Sequence, residues 1–173
     1  KKEVRNMCGF FISELQSEAH TQRIAGCLMQ FNVRQGKRGR FAFATIDDGS
    51  AKIEVSVWAD VFEKYRNLLK KGQVLVVEGM IERDDYSDLV KHKMIAERIM
   101  TFDQARKEYI KNIRIILEND VPDTQVFVNS IKEMANSEEG NSVLISYKGN
   151  GAKADIALPS NFSIKLDDSS IKA

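Results

Sequence analysis

The stretch Arg34–Trp58, "RQGKRGRFAFATIDDGSAKIEVSVW", decides how this chain is expected to fold. Its first seven residues hold Arg34, Lys37, Arg38 and Arg40 and no acid. It then alternates with a period of two, turns at Asp48-Gly49, and alternates again. In a strand, such alternation sends successive side chains to opposite faces. Ala42, Ala44 and Ile46 therefore share a face with Ile53, Val55 and Val57. Phe41, Phe43 and Thr45 point the other way, as do Lys52, Glu54, Ser56 and Trp58. Asp-Gly between two alternating runs is hairpin chemistry. The reading is a hairpin with an aliphatic inner face, an aromatic outer face and a cationic loop, Gly36–Gly39, leading into it.

Upstream, "RIAGCLMQFNVRQ" (Arg23–Gln35) reads as a long first strand, with Gly26 marking a bulge or a barrel corner. Downstream, Asp60 and Glu63 make a capping-box-like helix start. Val61, Phe62, Tyr65, Leu68 and Leu69 form one apolar stripe, and Lys70, Lys71 and Gly72 suit the helix end. "QVLVVEGMIE" reads as a fourth strand, "RDDYSDLVKH" as a polar loop and "KMIAERIMTF" as a fifth strand. Three strands, a helix and two strands are the element order of a five-stranded Greek-key barrel, the OB-fold. An open antiparallel sheet with one covering helix shares that order.

The flanks complete the predicted organisation. Residues 1–20 read as a helical tail of an upstream domain, with helical spacing of Val4, Met7, Cys8 and Phe11 through residue 17. The barrel takes 21–104, a linker helix 105–111, and a small α+β domain 112–173. In the last, "IRIIL" is a strand and "VPDTQVFVNSIKEMAN" a helix with Pro122 near its first turn. "NSVLISYKGNGAKADIAL" is a hairpin around Gly149-Asn150-Gly151, and "FSIKL" a last strand. The fold class is thus mainly β with α+β.

Charge and composition exclude several functions. The 173 residues carry 26 basic and 25 acidic side chains, a net charge of +1, so a wholly basic nucleic-acid coat is excluded and any anion site must be local. Cys8 and Cys27 lack metal-type spacing, and His20 and His92 are far apart. No metal, no cofactor and no catalytic residue is expected, since neither a nucleophile–base pair nor a phosphate-binding glycine loop is present. Both cysteines sit in apolar contexts and read as small core residues, which fits a reducing cytoplasm. No membrane span is found, and the apolar run at the start is too short for a signal peptide.

A cationic loop beside outward aromatics is the pairing single-strand binders use: cations follow phosphates, and bases stack on rings of any neighbour sequence. In OB-folds the binding face belongs to the second and third strands and the loops beside it. The nucleic-acid-binding candidates are therefore Arg34, Lys37, Arg38, Arg40, Phe41 and Phe43, with Lys91, His92 and Lys93 from the second loop. That second loop also holds Arg83 and Tyr86, but Asp84, Asp85 and Asp88 make it mixed. The same residues fit a solvated hairpin whose phenylalanines pack on a neighbouring domain. Trp58 reads as packed at its strand end.

"KRGRFAFATIDDGSAKIEVSVWADVFEKY", "LVVEGMIERDDYS" and "MIAERIMTFDQARKEY" resemble the C-terminal part of bacterial DNA polymerase III alpha subunits, over roughly residues 22–110, and "CGFFIS" resembles the segment just before their OB domain. The resemblance implies an OB domain that binds single-stranded template, followed by a domain that binds the clamp-loader tau subunit. It implies that the catalytic carboxylates lie upstream, so that this chain alone is not an enzyme, and that its setting is the bacterial cytoplasm among other replisome subunits. Lys37, Arg38, Gly39 and Arg40 match the family's basic loop and Phe43 its outward aromatic. Phe41 stands where an aliphatic residue is common, and "SDLVKHK" stands where paired glycines are common. A competing expectation is a pure protein-interaction module with little DNA affinity. An anticodon-binding OB domain is a third, against which the C-terminal α+β unit counts.

Overall fold

In the computed structural model, which describes residues 5, 7–17, 20–84, 91–118, 124–134, 140–149 and 151–164, the alternating segments are strands. They are β1 (Gln22–Gly36), β2 (Gly39–Asp47), β3 (Lys52–Val57), β4 (Val74–Asp84) and β5 (Lys91–Thr101). They close into a barrel in the order β1-β2-β3-β5-β4. Only β3 and β5 run parallel within it; a parallel pair demands a crossover, which helix α1 (Ala59–Tyr65) and β4 provide. This is the OB-fold, and closure excludes the open sheet.

Closure depends on β1 changing partners. Gln22–Cys27 pairs with β4 and Cys27–Gly36 with β2, so Cys27 has both Val74 and Asp47 as neighbours. Gly26 sits at that corner, where a Cβ would lie 2.6 Å from the Asp47 carbonyl oxygen. Gly79 is tighter still: a Cβ would lie 1.9 Å from the Ile95 carbonyl oxygen, beside the irregularity between Glu78 and Gly79. Both positions exclude any side chain. The inner face is as the alternation predicts. Ala42, Ala44, Ile46, Ile53, Val55 and Val57 are all buried, with Ile24, Leu28, Leu75 and Met94. Each fully buried Ile, Leu or Val contributes about 1.5–3 kcal/mol.

Three expectations are corrected. Helix does not run to residue 17: residues 5, 7 and 8 are helical, Gly9 stops the helix at φ +84°, and Ile12–Glu14 is a single 3-10 turn; residues 1–4 lie outside the described residues. The capping box at Asp60 is absent, because α1 begins at Ala59 with Trp58 as its cap and no side-chain cap bond. A reciprocal cap forms instead at Thr101 and Gln104, each side chain accepting from the other's backbone N–H, at 2.9 and 3.2 Å. It starts helix α2 (Phe102–Tyr109). Finally, Arg83, Asp84, Lys91 and His92 are strand rather than loop, with Arg83 opposite His92 and Asp84 opposite Lys91. Polar residues extend the β4–β5 ribbon there; Asp85, Tyr86 and Asp88 lie outside the described residues.

The chain divides into two compact units between Ala105 and Arg106. The second contains β6 (Asn112–Glu118), α3 (Thr124–Met134), β7 (Asn141–Gly149), β8 (Ala152–Ala157) and β9 (Ser163–Ile164). β6 and β7 are parallel across α3, β7 and β8 form the hairpin, and β9 pairs with β7. Val143 and Ile164 are buried against Ile113, Ile115, Leu158 and Phe162. Pro122, Asn150 and the end of the last strand lie outside the described residues.

Candidate nucleic-acid interface

The cationic loop is tighter than expected. Gly36 pairs with Gly39, so Lys37 and Arg38 are a two-residue hairpin turn, with Gly39 at φ +117°. Arg34 is the cross-strand partner of Phe41, and Asn32 of Phe43. Directly opposed residues share a face. Arg34 therefore lies on the outer face beside the phenylalanines. Arg34, Lys37 and Arg38 are exposed and have no ion-pair or hydrogen-bond partner among the described residues.

Arg40 differs. Its guanidinium donates to Glu63 at 3.1 Å and lies 5.8 Å from the Phe62 ring centre. Glu63 also holds Arg66 at 3.3 Å. Arg40 is thus committed to α1, a pairing across β2 and α1 that no local spacing reveals.

Phe41 and Phe43 are half-buried and meet edge to face, with ring centres 5.5 Å apart. A third ring joins them. Trp58 lies 5.4 Å from Phe41, tilted at 39°, and 6.3 Å from Phe43. It is 47% exposed, so the expectation that it packs away at the strand end is corrected. Its backbone is fixed: it follows Val57, the last residue of β3, and its carbonyl accepts from the Phe62 N–H at 2.7 Å as the cap of α1. Under Phe41, a Cβ on Gly36 would come within 3.1 Å of the ring. The bare glycine is what lets that ring lie across β1.

The second group of candidates is separate. Register runs Thr45–Glu54–Lys93–Glu82 across the same outer face. Lys93 bonds ionically to Glu82 at 3.8 Å and has Glu54 on its other side, so its charge is balanced. His92 lies two residues before buried Met94 and so shares its row, opposite to that of Lys93. Lys91 opens β5 opposite Asp84. The structure thus gathers Arg34, Lys37, Arg38, Phe41 and Phe43 together, adds Trp58, and leaves Lys91, His92 and Lys93 apart.

Two titratable groups are perturbed elsewhere. Burial opposes ionisation of Asp48, but the Ser50 hydroxyl and the backbone N–H groups of Ile12, Ser50 and Ala51 outweigh it and hold the carboxyl below its ordinary value. Asp48 thereby ties the segment before the barrel to the β2–β3 turn. Burial pushes the Cys8 thiol up to about 11, which makes it a poor nucleophile. Both cysteines are free, and among the described residues no cluster of His, Cys, Asp or Glu could hold a metal ion. No helix among the described residues is long and apolar enough to cross a membrane.

Comparison with known proteins agrees with this geometry. The family described as OB-fold nucleic acid binding domain matches residues 23–102. DNA polymerase III subunit alpha of Pseudomonas aeruginosa is 28% identical over 173 residues, covering 99% of this chain and 14% of that protein. The Pseudomonas fluorescens subunit is 32% identical over 117 residues, 67% of this chain and 10% of its own. Among solved structures, the SSB domain of a Synechococcus protein overlays 49% of this chain and 98% of its own with a TM-score of 0.41 and 13% identity. The chain therefore spans about one seventh of the first of these relatives. It is homologous along nearly its whole length to the Pseudomonas aeruginosa subunit and over two thirds of its length to the Pseudomonas fluorescens one, both bacterial DNA polymerase III alpha subunits, and within that homology it carries an OB-fold domain.

Proposed function

We propose that this chain is a C-terminal portion of a replicative DNA polymerase III alpha subunit whose barrel binds single-stranded template. The observation that carries the reading is the set of cations Arg34, Lys37 and Arg38, without an ion-pair partner among the described residues, beside a three-ring cluster on the outer face of the barrel. Cations there can neutralise phosphates and rings can take bases without regard to sequence. Homology to the alpha subunits supports the replicative setting, the bacterial cytoplasm and other replisome subunits as partners. Because the chain spans so little of those relatives, it is proposed to lack a polymerase active site of its own. Docking of the clamp-loader tau subunit by residues 112–173 rests on the family resemblance alone.

The test is fluorescence anisotropy of labelled single- and double-stranded oligonucleotides at several salt concentrations. Single strands should bind more tightly, with affinity falling steeply as salt rises. Reversing Arg34, Lys37 and Arg38 to Glu should remove roughly two from the log–log salt slope, at about 0.7 per single-strand phosphate contact. An unchanged slope overturns the assignment of the hairpin. For tau, binding of the purified subunit to the immobilised full chain is the test, and no binding refutes it.

A second reading, a protein-interaction module, is favoured by the charge balance around Lys93 and by the exposed apolar residues Ile116 and Ile156 of the second unit. Absence of single-strand binding at low salt would move it ahead.

A further inference from the structure

The three-ring cluster is asymmetric, and the asymmetry points to a particular contact. Phe41 is wedged, with Gly36 beneath it, Phe43 at its edge and Trp58 tilted against it. Phe41 is therefore a brace. Trp58 is the ring left about half exposed, and its indole N–H has no hydrogen-bond partner among the described residues. Tryptophans that pair an apolar ring with an available N–H are enriched at binding interfaces. Trp58 directly follows β3 and caps α1, and its ring packs on Phe41 and Phe43, so part of the conformational freedom that binding would remove is already gone. The nearest register row carries Arg34 opposite Phe41, a cation without a counter-ion.

We propose that Trp58, braced by Phe41, is the platform on which one unpaired nucleobase of a single strand stacks. This deepens the single-strand-binding reading and rests on it. The occupant is a nucleobase of any identity, because stacking uses the π-face that every base has and the indole N–H can donate to any base carbonyl or phosphate oxygen. Phe43, meeting both other rings edge-on, supports the platform from the side. Arg34, Lys37 and Arg38 supply the charge term; Trp58 supplies a term that does not depend on salt.

Trp58 is the sole tryptophan of the chain, so its fluorescence reports on this position alone. Titration of the full chain with oligodeoxythymidylate should quench that fluorescence with the same midpoint as anisotropy of the labelled strand. An abasic strand of equal length should bind more weakly and leave the fluorescence nearly unchanged. Trp58→Ala should weaken binding about 5- to 150-fold, the range for one stacked base, without changing the salt slope, and Trp58→Phe should restore most of the loss. Far-ultraviolet circular dichroism identifies any variant that fails to fold, in which case Trp58→Phe and the abasic strand decide. If single strands bind but quenching is absent and Trp58→Ala binds normally, the platform is refuted while the single-strand reading stands. If no single strand binds at low salt, both fall together.

Discussion

The β1–β2 hairpin and the β4–β5 ribbon belong to one barrel, and both are rich in cations, yet they are electrostatically different. At the hairpin, Arg34, Lys37 and Arg38 are exposed, with no carboxylate pairing them among the described residues. On the ribbon side, Lys93 stands between Glu54 and Glu82, and Arg98 lies 3.7 Å from Glu78, which also takes Arg23 at 2.8 Å. A count of basic residues treats the two regions alike. What separates them is the cross-strand neighbour, because a cation already paired with a carboxylate is less free to neutralise a phosphate and so to release the counterions condensed on a strand.

The most drastic way to break the comparison is to prevent the barrel from closing. Gly79→Val sets a side chain against the Ile95 carbonyl, and should cost about 3 kcal/mol or more in urea unfolding, abolishing any difference between the regions. A variant of wild-type stability would mean that β4 and β5 do not approach as described. Next in size, Asp48→Ala removes the acceptor for three backbone N–H groups and one hydroxyl, a loss of about 1–2 kcal/mol. Asp48 also gives a pH signature. Its folded carboxyl titrates below its unfolded value of about 3.9, so its stabilisation is complete above that pH and fades as pH falls through the folded value. Asp48→Asn should therefore flatten the stability profile below about pH 4, and an unchanged profile would contradict the network. The smallest effect sharpens the comparison most. Lys93→Glu should change single-strand affinity by less than about twofold, against the steep loss expected from charge reversal at the hairpin. Equal losses would erase the distinction.

The barrel was readable because its inner face repeats with a period of two: Ala42 to Ile46 and Ile53 to Val57 are buried as that alternation requires. The interface was readable in part. Phe41, Phe43 and the turn cations follow from the same pattern. Trp58 does not, because a residue between a strand and a helix can turn either toward that helix or away from it, and alternation alone leaves this open. Arg40 and Glu63 are 23 residues apart, so their pairing depends on how α1 packs and has no local signature. Arg83, Asp84, Lys91 and His92 read as loop because they are polar and break the apolar alternation, whereas strand pairing continues through them. The first helix was extended too far because apolar spacing continued through Phe11 while Gly9 had already reversed the backbone.

The change of partners along β1 has a consequence for how the chain assembles. Its second half meets β2 across a two-residue turn, whereas its first half must wait for β4, with roughly fifty residues between Gly26 and Leu75. The half that carries Arg34 is thus the half that can zip locally, and the half that completes the barrel is the one delayed by chain entropy. The hairpin ribbon and the seam are written on one continuous strand, so order in the ribbon supplies the template on which the seam is finally sewn.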